Sequence, residues 1–523
     1  MKKVVVQENS YFDSVFLMLT TKAIKQIPGV KEAVVSMGTD VNLEILKDIG
    51  LSTPELERAT PNDMVIAIEG ESQDVVEEAY QTANDMLRKR TREVGEEGEY
   101  RPVSFDTALK MAPDSNLAII SVPGMYAARE ARRALENGLH VMLFSDNVSV
   151  EDEVELKKIA TAKGLLMMGP DCGTAIINGK PLCFANVVRE GDIGIVAASG
   201  SGLQEVSCRI DSLGGGISQA IGTGGRDLRY KQVGGMMMSM GIEALKMDPK
   251  TRVIVLISKP AAEVVAEKVL SKLKETGKPC VVHFIGVMRQ EPSEHLNFVR
   301  NLEEAAGMAV ALSRGEVCKG VLFSMSEETR EEIVEKETAK MSKTQKYLRC
   351  LYTGGTLADE SMFLFEREGV EIHSNVQTKP DRVLKDPETS KKHTIIDLGE
   401  DVFTRGRPHP MIDPSIREDR ISKEMEDPEV AVFLLDFVLG YGSHEDPCGA
   451  MVEKLTQAKQ RAEARGGYLS VIASITGTKG DFQNMEEQKK KLESIGCVVM
   501  PSNYQASMLA LRVIKRLQTH RTE

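Results

Sequence analysis

GDIGIVAASGSGLQE, residues 191–205, reads as a strand of apolar residues that runs into a glycine-rich turn and then a helix. Ile193, Ile195 and Val196 supply β-branched residues, Ser199-Gly200-Ser201-Gly202 permits close backbone approach, and Leu203 opens a helical run. Free N–H groups and the positive end of the helix dipole converge at such a turn, so a phosphate or carboxylate is expected there. The alternative is a tight strand-to-helix turn that holds no ligand.

The same alternation extends in both directions. Residues 1–100 form a small α/β domain: KVVVQ, a helix over Asp13–Lys25, KEAVVSM, a helix from Asn42, DMVIAIEG and a helix over Val75–Arg88. KRTREVGEEGEYRP, residues 89–102, reads as a linker. NLAIISVPG, a helix over Ala127–Asn137, HVMLFSDNV and GLLMMGPDCG place a Rossmann-like domain with a parallel sheet at 103–190. A third domain follows at 191–325, then a charged linker helix at 326–346, SEETREEIVEKETAKMSKTQK, and a last domain at 347–523. MDPKTRVIVLISKP from Met247 is echoed by EDPEVAVFLLDFVLG from Glu426, and GKPCVVHFIG from Gly277 by GGYLSVIASITG from Gly466. Two similar α/β domains in tandem are the reading; a chance match of short apolar strands is the alternative.

Composition narrows the function. Among 523 residues, 41% are hydrophobic and 28% charged, a globular balance, and no run approaches the roughly 20 apolar residues of a membrane span. The three valines after Lys3 are too few for a signal peptide. A net charge of −12 argues against nucleic acid as a partner. The 8 cysteines are scattered, with no CxxC pair and no histidine at ligand spacing, so no metal site or disulfide framework is expected and a reducing cytoplasm fits. GGMMMSM, residues 234–240, reads as core.

Further glycine-bearing strand ends are candidate ligand loops, because ligands of open α/β sheets sit beyond the carboxyl ends of strands. They are IGTGGRDL with Gly224, Gly225 and Arg226, YTGGTLAD with Gly354 and Gly355, IIDLGEDV, and VLGYGSHEDP with Gly442 and Ser443. Arg226 offers a fixed charge to an anion, or pairs with Asp227 or Glu205; Ser443 reads as a helix N-cap. FTRGRPHPMIDPSIRED, residues 403–419, holds Arg405, Arg407, His409 and Asp413 among three prolines. Two guanidinium groups and an imidazole titrating near neutral pH suit an anionic substrate, with His409, Arg407 and Asp413 as catalytic candidates. The alternative is a structural connector in which Asp413 pairs with Arg417. Neither the Ser-x-Arg-Thr signature of typical transcarbamylases nor a Walker A, HExxH, GxSxG or kinase motif is present.

Together these segments resemble the succinyl-CoA synthetase group. GLLMMGPDCGTAIING is similar to the alpha subunit's GPNCPG region, GDIGIVAASGSGLQE to its strand and glycine turn, and TIIDLGEDV to the DLGGGV of the beta subunit's carboxy-terminal domain. The resemblance implies a Rossmann-like CoA-binding-type domain, with Gly169, Pro170, Asp171 and Cys172 in a nucleotide or CoA-type pocket. It also implies two flavodoxin-like parallel-sheet domains behind the small N-terminal one. The turn at Ser199–Gly202 would then face the loop at Gly442. Three departures stand out: VMRQEPSEHLN, with His295, replaces the phosphohistidine setting, Ser258-Lys259-Pro260 replaces a carboxylate, and the ATP-grasp domain has no counterpart. Over its whole length, through ATPND, LFSDNV, GGRDL, LYTGGTLA and GRPHPMIDP, the chain is similar to the FdrA-type proteins, which are acyl-CoA synthetase-like. That resemblance implies a cytoplasmic subunit of an oxamate carbamoyltransferase-type complex in purine and allantoin breakdown. Oxalurate and phosphate would there equilibrate with oxamate and carbamoyl phosphate, with phosphate or CoA as possible ligands and other subunits as partners. An ADP-forming acyl-CoA synthetase, or its scaffold subunit, is the alternative.

Overall fold

The computed structural model describes residues 1–8, 10, 12, 14–61, 63–95, 102, 104–287, 295–318, 320, 323–404 and 407–519. They group into two units, 1–113 with 403–408, and 114–402 with 409–523. In the first unit the elements are β1 (Lys2–Gln7), α1 (Ser14–Lys25), β2 (Val30–Met37), α2 (Asp40–Asp48), β3 (Met64–Gly70), α3 (Gln73–Gly95) and α4 (Phe105–Met111). Strand order is β1-β3-β2, all antiparallel. Alternation in β2 sends Ala33 and Val35 to one face, against Leu17, Ile24, Val76 and Ala83 of α1 and α3. Val34 and the central-strand residues Val65 and Ala67 meet Leu46 and Leu51 on the other face. Helix α3 runs on to Gly95, so the stretch expected to begin a linker at Lys89 is helical there, and residues 96–101 lie outside the described part.

The second unit opens with β4 (Leu117–Ile120), α5 (Gly124–Glu136), β5 (His140–Leu143), α6 (Val150–Lys163) and β6 (Met167–Met168), a three-stranded parallel sheet. A hairpin follows, β7 (Thr174–Ile177) and β8 (Lys180–Cys183). Asn178 and Gly179 turn it with positive φ at both positions, which matches the twist of the flanking strands. Next come β9 (Glu190–Ala198), α7 (Gly200–Ser212), β10 (Ile217–Gly222), α8 (Met236–Met247), β11 (Val253–Ser258), α9 (Glu263–Lys274), β12 (Cys280–Phe284), β13 (Leu296–Phe298) and α10 (Leu302–Arg314). Met237 and Met238 are core, as the GGMMMSM run suggests. Helix α11 (Glu327–Thr338) buries Arg330, Val334 and Glu337, so the expected solvated linker is packed structure. The remainder is β14 (Tyr347–Tyr352), α12 (Gly355–Arg367), β15 (Ile372–Ser374), β16 (His393–Asp397), α13 (Asp401–Thr404), α14 (Ser415–Glu424), β17 (Val430–Val438), α15 (Pro447–Ala464), β18 (Ser470–Thr476), α16 (Met485–Ser494), β19 (Val498–Met500) and α17 (Asn503–Thr519).

The sequence echo is real in three dimensions. One sheet runs β13-β12-β11-β9-β10 before the hairpin strands β7 and β8, and the other runs β19-β18-β17-β14-β16-β15. With the short edge strand β15 set aside, both are 5-4-3-1-2 in chain order, the flavodoxin-like winding; β15 adds a sixth strand to the second sheet. The fold class is therefore the expected one, α/β with a Rossmann-like sheet, two flavodoxin-like sheets and a small N-terminal α/β domain. One apolar cluster, including Ile195, Leu203, Ala305, Leu357, Phe365 and Leu509, joins the two large sheets.

Two carboxylates cross that junction in a reciprocal pattern. Glu205, on α7, accepts the Asn503 N–H at the start of α17 at 3.0 Å, and Glu360, on α12, accepts the Leu302 N–H at the start of α10 at 2.8 Å. Each half thus caps the last helix of the other. Glu360 also accepts from Asn503 Nδ2 at 2.8 Å, and Arg209 pairs with the adjacent Glu303 at 2.6 Å. Burial pushes the Glu360 carboxyl up to about 7. A raised carboxyl favours the folded state while protonated, so its contribution is whole below the ordinary value of 4.5 and is lost as pH rises toward 7. Glu360→Gln should accordingly gain stability relative to wild type by roughly 1–3 kcal/mol between pH 5 and pH 8. Parallel melting curves at the two pH values check this, and a constant difference between the proteins would contradict it.

Candidate functional site

In each large sheet the strand order reverses at one point, between β9 and β11 and between β14 and β17. Ligand crevices form beyond the carboxyl ends of strands at such points. Helix α7 leaves the first and α12 the second, and their N-termini meet. Ser199 Oγ lies 2.8 Å from Thr356 Oγ1, and the Thr356 N–H donates to Ser201 Oγ at 3.3 Å. Ser199 is also the N-cap of α7, accepting the Gly202 N–H at 3.1 Å. The segment facing the Ser199–Gly202 turn is thus Gly354–Thr356, not the expected loop at Gly442. Gly442 instead lies against the Phe184 ring, which a Cβ there would approach to 2.8 Å. Ser443 is not an N-cap; Asp446 caps α15 by accepting the Gly449 N–H at 3.1 Å, just before Pro447 at the first helical position.

The two helix ends are neutralised differently. At α12, Asp436 accepts the N–H groups of Thr353 and Gly354 at 2.8 and 2.7 Å and is held from behind by Arg417 at 2.9 Å. Asp397 stands beside Gly355 as well: a Cβ on that glycine would fall against its carboxylate. At α7 the residues in matching register are apolar or absent, since Ile257 and Gly222 both pair with Ala197. Gly200 is exposed there. The nearest atom to a Cβ at Gly200 is Thr174 Oγ1, 3.7 Å away, a hydroxyl on a 2% exposed residue that has no hydrogen-bond partner among the described residues. A buried hydroxyl without a partner beside an exposed helix N-terminus suits an oxyanion site.

Lys259 directly follows β11 and so borders the same reversal of strand order. Its ammonium lies 3.2 Å from Asp359 and would stand 3.3 Å from a Cβ on Gly355. Burial works against its charge, but Asp359, Asp397 and Glu400 hold its pKa above the ordinary lysine range. Burial pushes the Asp397 carboxyl up to about 7, with Lys259 opposing and Glu400 adding to the shift. This places a permanent cation beside a carboxyl that exchanges its proton near neutrality.

The proline-rich segment divides. His409 reaches the site: its Nε2 would lie 2.7 Å from a Cβ on Gly399, the residue whose N–H donates to Asp397 at 2.9 Å. Burial, with Arg417 adding, pushes the imidazole down to about 4, so it is neutral and does not titrate near pH 7 as expected. Its Nδ1 accepts the Met411 N–H at 3.2 Å, which assigns the proton to Nε2. Arg407 is exposed and belongs to the 403–408 stretch of the other unit, and Arg405 lies outside the described residues. Asp413 accepts the Ser415 N–H at 3.1 Å at the start of α14, while Arg417 is committed to Asp436. Of the candidates His409, Arg407 and Asp413, His409 stands beside Gly399 and Asp397, while Asp413 takes the Ser415 N–H.

Arg226 pairs with buried Glu153 at 2.8 Å, in a network where Lys157 binds Glu153 at 2.8 Å and Asp227 at 2.9 Å. Its partner is thus neither Asp227 nor Glu205. Gly224 has φ +85° and approaches Pro170, whose carbonyl a Cβ would meet at 2.4 Å, and a Cβ on Gly225 would be 3.9 Å from Asp171. Gly169 packs equally tightly on the Leu143 carbonyl, and burial pushes the Cys172 thiol up to about 12. Gly169 and Gly224 are required by close backbone packing, while Gly225 has room for a side chain. Strand order β4-β5-β6 contains no reversal, and the loops after β5 and β6 carry Asp146 and Asp171, with Lys259 and Arg226 close enough to act on Asp171. Asp171 keeps surface exposure, yet the protein crowded around it strips enough water to push its carboxyl up to about 6.

Sequence reasoning missed Thr174, Thr356, Asp359, Asp397 and Asp436. The signal for Asp436 was present, a single carboxylate inside the apolar strand VAVFLLDFV. Among the described residues no cluster of His, Cys, Asp and Glu is arranged to hold a metal ion, and no helix is long and apolar enough to cross a membrane.

Comparison with known proteins gives two family matches. Residues 1–102 match the family described as AllF, heavy metal-associated domain, and residues 351–513 match CoA-ligase. Residues 1–102 contain neither cysteine nor histidine, so thiolate and imidazole donors for a metal are lacking there. The chain is 47% identical to YahF of Escherichia coli (strain K12), over 98% of each chain. It is 27% identical to the Trichomonas vaginalis mitochondrial succinate–CoA ligase [ADP-forming] subunit alpha-2, over 40% of this chain and 74% of that one. Among solved structures, ATP citrate lyase from Methanothrix soehngenii in complex with citrate and coenzyme A aligns at 12% identity over 80% of this chain and 85% of that chain, with a TM-score of 0.33.

The environment of His409 makes a spectroscopic prediction. With 13C-labelled histidine, the resonance lost in His409→Gln should hold its neutral position from pH 8 down to pH 5.5, and a midpoint near 6.5 would contradict the buried, neutral assignment.

Proposed function

Because this chain belongs to the family of YahF and carries a CoA-ligase domain, we propose that it is the acyl-transfer subunit of an acyl-CoA synthetase-like enzyme, with phosphate as the anion it handles. The observation that carries this reading is Thr174 Oγ1, buried and unpartnered, beside the exposed Gly200 at the N-terminus of α7. Phosphate oxygens would take the Gly200 and Ser201 N–H groups and the Thr174 hydroxyl, with Lys259 supplying a full positive charge at the adjoining helix end. A phosphate oxygen attacks the acyl carbon, the bond to the leaving group breaks, and an acyl phosphate forms. Asp397, divided between its two forms near pH 7, would give the departing group its proton and recover it on reversal. The Nε2–H of neutral His409 would orient the acyl oxygen.

No step is assigned to CoA, and other subunits would bring whatever nucleotide or thiol the full reaction uses. A carbamoyl group is one acyl group this chemistry could move, as the FdrA resemblance implies, with oxalurate as donor and oxamate as leaving group. The CoA-ligase relatives support the acyl-CoA synthetase reading better than this one. All 8 cysteines are free, which suits work in a reducing cytoplasm.

Equilibrium dialysis with radiolabelled phosphate tests the site. Wild type should bind phosphate, and Thr174→Val and Lys259→Met should each weaken it about tenfold, as the loss of one charged or orphan-satisfying contact predicts. Phosphate release from added acyl phosphate by the complex should fall in parallel, assayed separately with carbamoyl phosphate. Absence of phosphate binding, or binding indifferent to both substitutions, overturns the proposal.

A further inference from the structure

The two halves share one winding, so each feature of one helix end has a positional counterpart at the other. Tyr352, two residues before the α12 N-cap Gly354, pairs with Asp397, and one step past the pair Leu351–Leu435 it faces Asp436. Ala197, two residues before the α7 N-cap Ser199, pairs with Gly222 and Ile257. The duplicated position that is Ile257 in one half is thus a carboxylate in the other. That carboxylate is fully buried and its bonds are those of a bound oxyanion. It accepts from Thr353 N at 2.8 Å, Gly354 N at 2.7 Å and Thr353 Oγ1 at 3.0 Å, and from Arg417 Nη2 at 2.9 Å, while Arg417 Nη1 donates to the Asp436 carbonyl at 2.6 Å.

We infer that Asp436 is a resident anion: its carboxylate occupies at α12 the place that a substrate oxyanion takes at α7, so the chain works with one exchangeable anion although it contains two facing anion sites. The α7 half rests on the proposed function; the α12 half stands on the Asp436 geometry alone. The consequence is directional. With α12 filled, a phosphoryl or carboxylate group cannot pass from one helix end to the other, and α12 acts as a fixed wall that keeps Asp397 and Lys259 in place. Arg417, buried behind Asp436, would otherwise be an uncompensated charge, so it also ensures that only an anion can replace that side chain.

Removing the carboxylate should expose a site for a small oxyanion. By phosphate titration, wild type should bind one equivalent, Asp436→Ala two, and Asp436→Asn, which keeps the shape and one acceptor, one. Asp436→Ala is expected to be unstable, and acetate, which restores the missing carboxylate, should raise its melting temperature saturably while leaving wild type unchanged and chloride ineffective. Where that variant cannot be purified, refolding yield with and without acetate gives the same readout. A second equivalent in wild type, or an Asp436→Ala protein that gains no equivalent and no acetate rescue, overturns the inference. Zero equivalents in wild type with one in Asp436→Ala would remove the α7 reading and leave Asp436 as the resident anion.

Discussion

Two helix N-termini point at each other, and everything around them answers the repulsion this creates. Each end carries about half a positive charge, and two such ends a few ångströms apart repel by roughly 1 kcal/mol at protein-like dielectric. Hydroxyls meet part of it, through Ser199 with Thr356 and Ser201 with the Thr356 N–H. Carboxylates meet the rest, but only on one side, where Asp436 and Asp397 crowd α12. The shortfall at α7 is the physical reason to place a ligand there. The same duplication supplies the clamp further in, with Glu205 capping α17 and Glu360 capping α10 across the junction.

This arrangement separates what the fold does from what the site does. Parallel sheets wound 5-4-3-1-2 bring the ends of β9, β11, β14 and β16 to one region, whichever reaction is run. The chemistry resides in few side chains: Thr174 from the hairpin that extends one sheet, Lys259 after β11, and Asp397 at the end of β16. Lys259 stands where the family resemblance expects a carboxylate. With a cation there and no phosphohistidine setting in the described residues, direct attack by a bound phosphate is simpler than relay through a covalent carrier.

The sequence was legible where the signal was local. Alternating strands and helices, the strand-to-turn run at Gly191–Glu205 and the echo between residues 247 and 426 all reflect neighbours along the chain, and the sheets follow them. The facing partner was not legible. The loop at Gly442 carries a conspicuous glycine pattern, but Asp446 and Pro447 start its helix three residues later than Ser443 suggested, and Gly442 is consumed by packing on Phe184. In the proline-rich segment, prolines fix the backbone of residues 408–414 but do not decide whether a side chain points to the crevice, as His409 does, or accepts a helix N–H, as Asp413 does. Thr174 and Asp436 become meaningful only once strand register is known, because each acts on a helix that another strand delivers.

Diffraction from crystals soaked in selenate tests the central claim most directly, since the anion resembles phosphate and its anomalous signal locates it without ambiguity. The account predicts one strong peak within hydrogen-bond distance of the Gly200 and Ser201 amides and Thr174 Oγ1, with none at Thr353–Gly354. A peak at the start of α12 displacing Asp436, or selenate bound elsewhere with the α7 terminus closed, would contradict it.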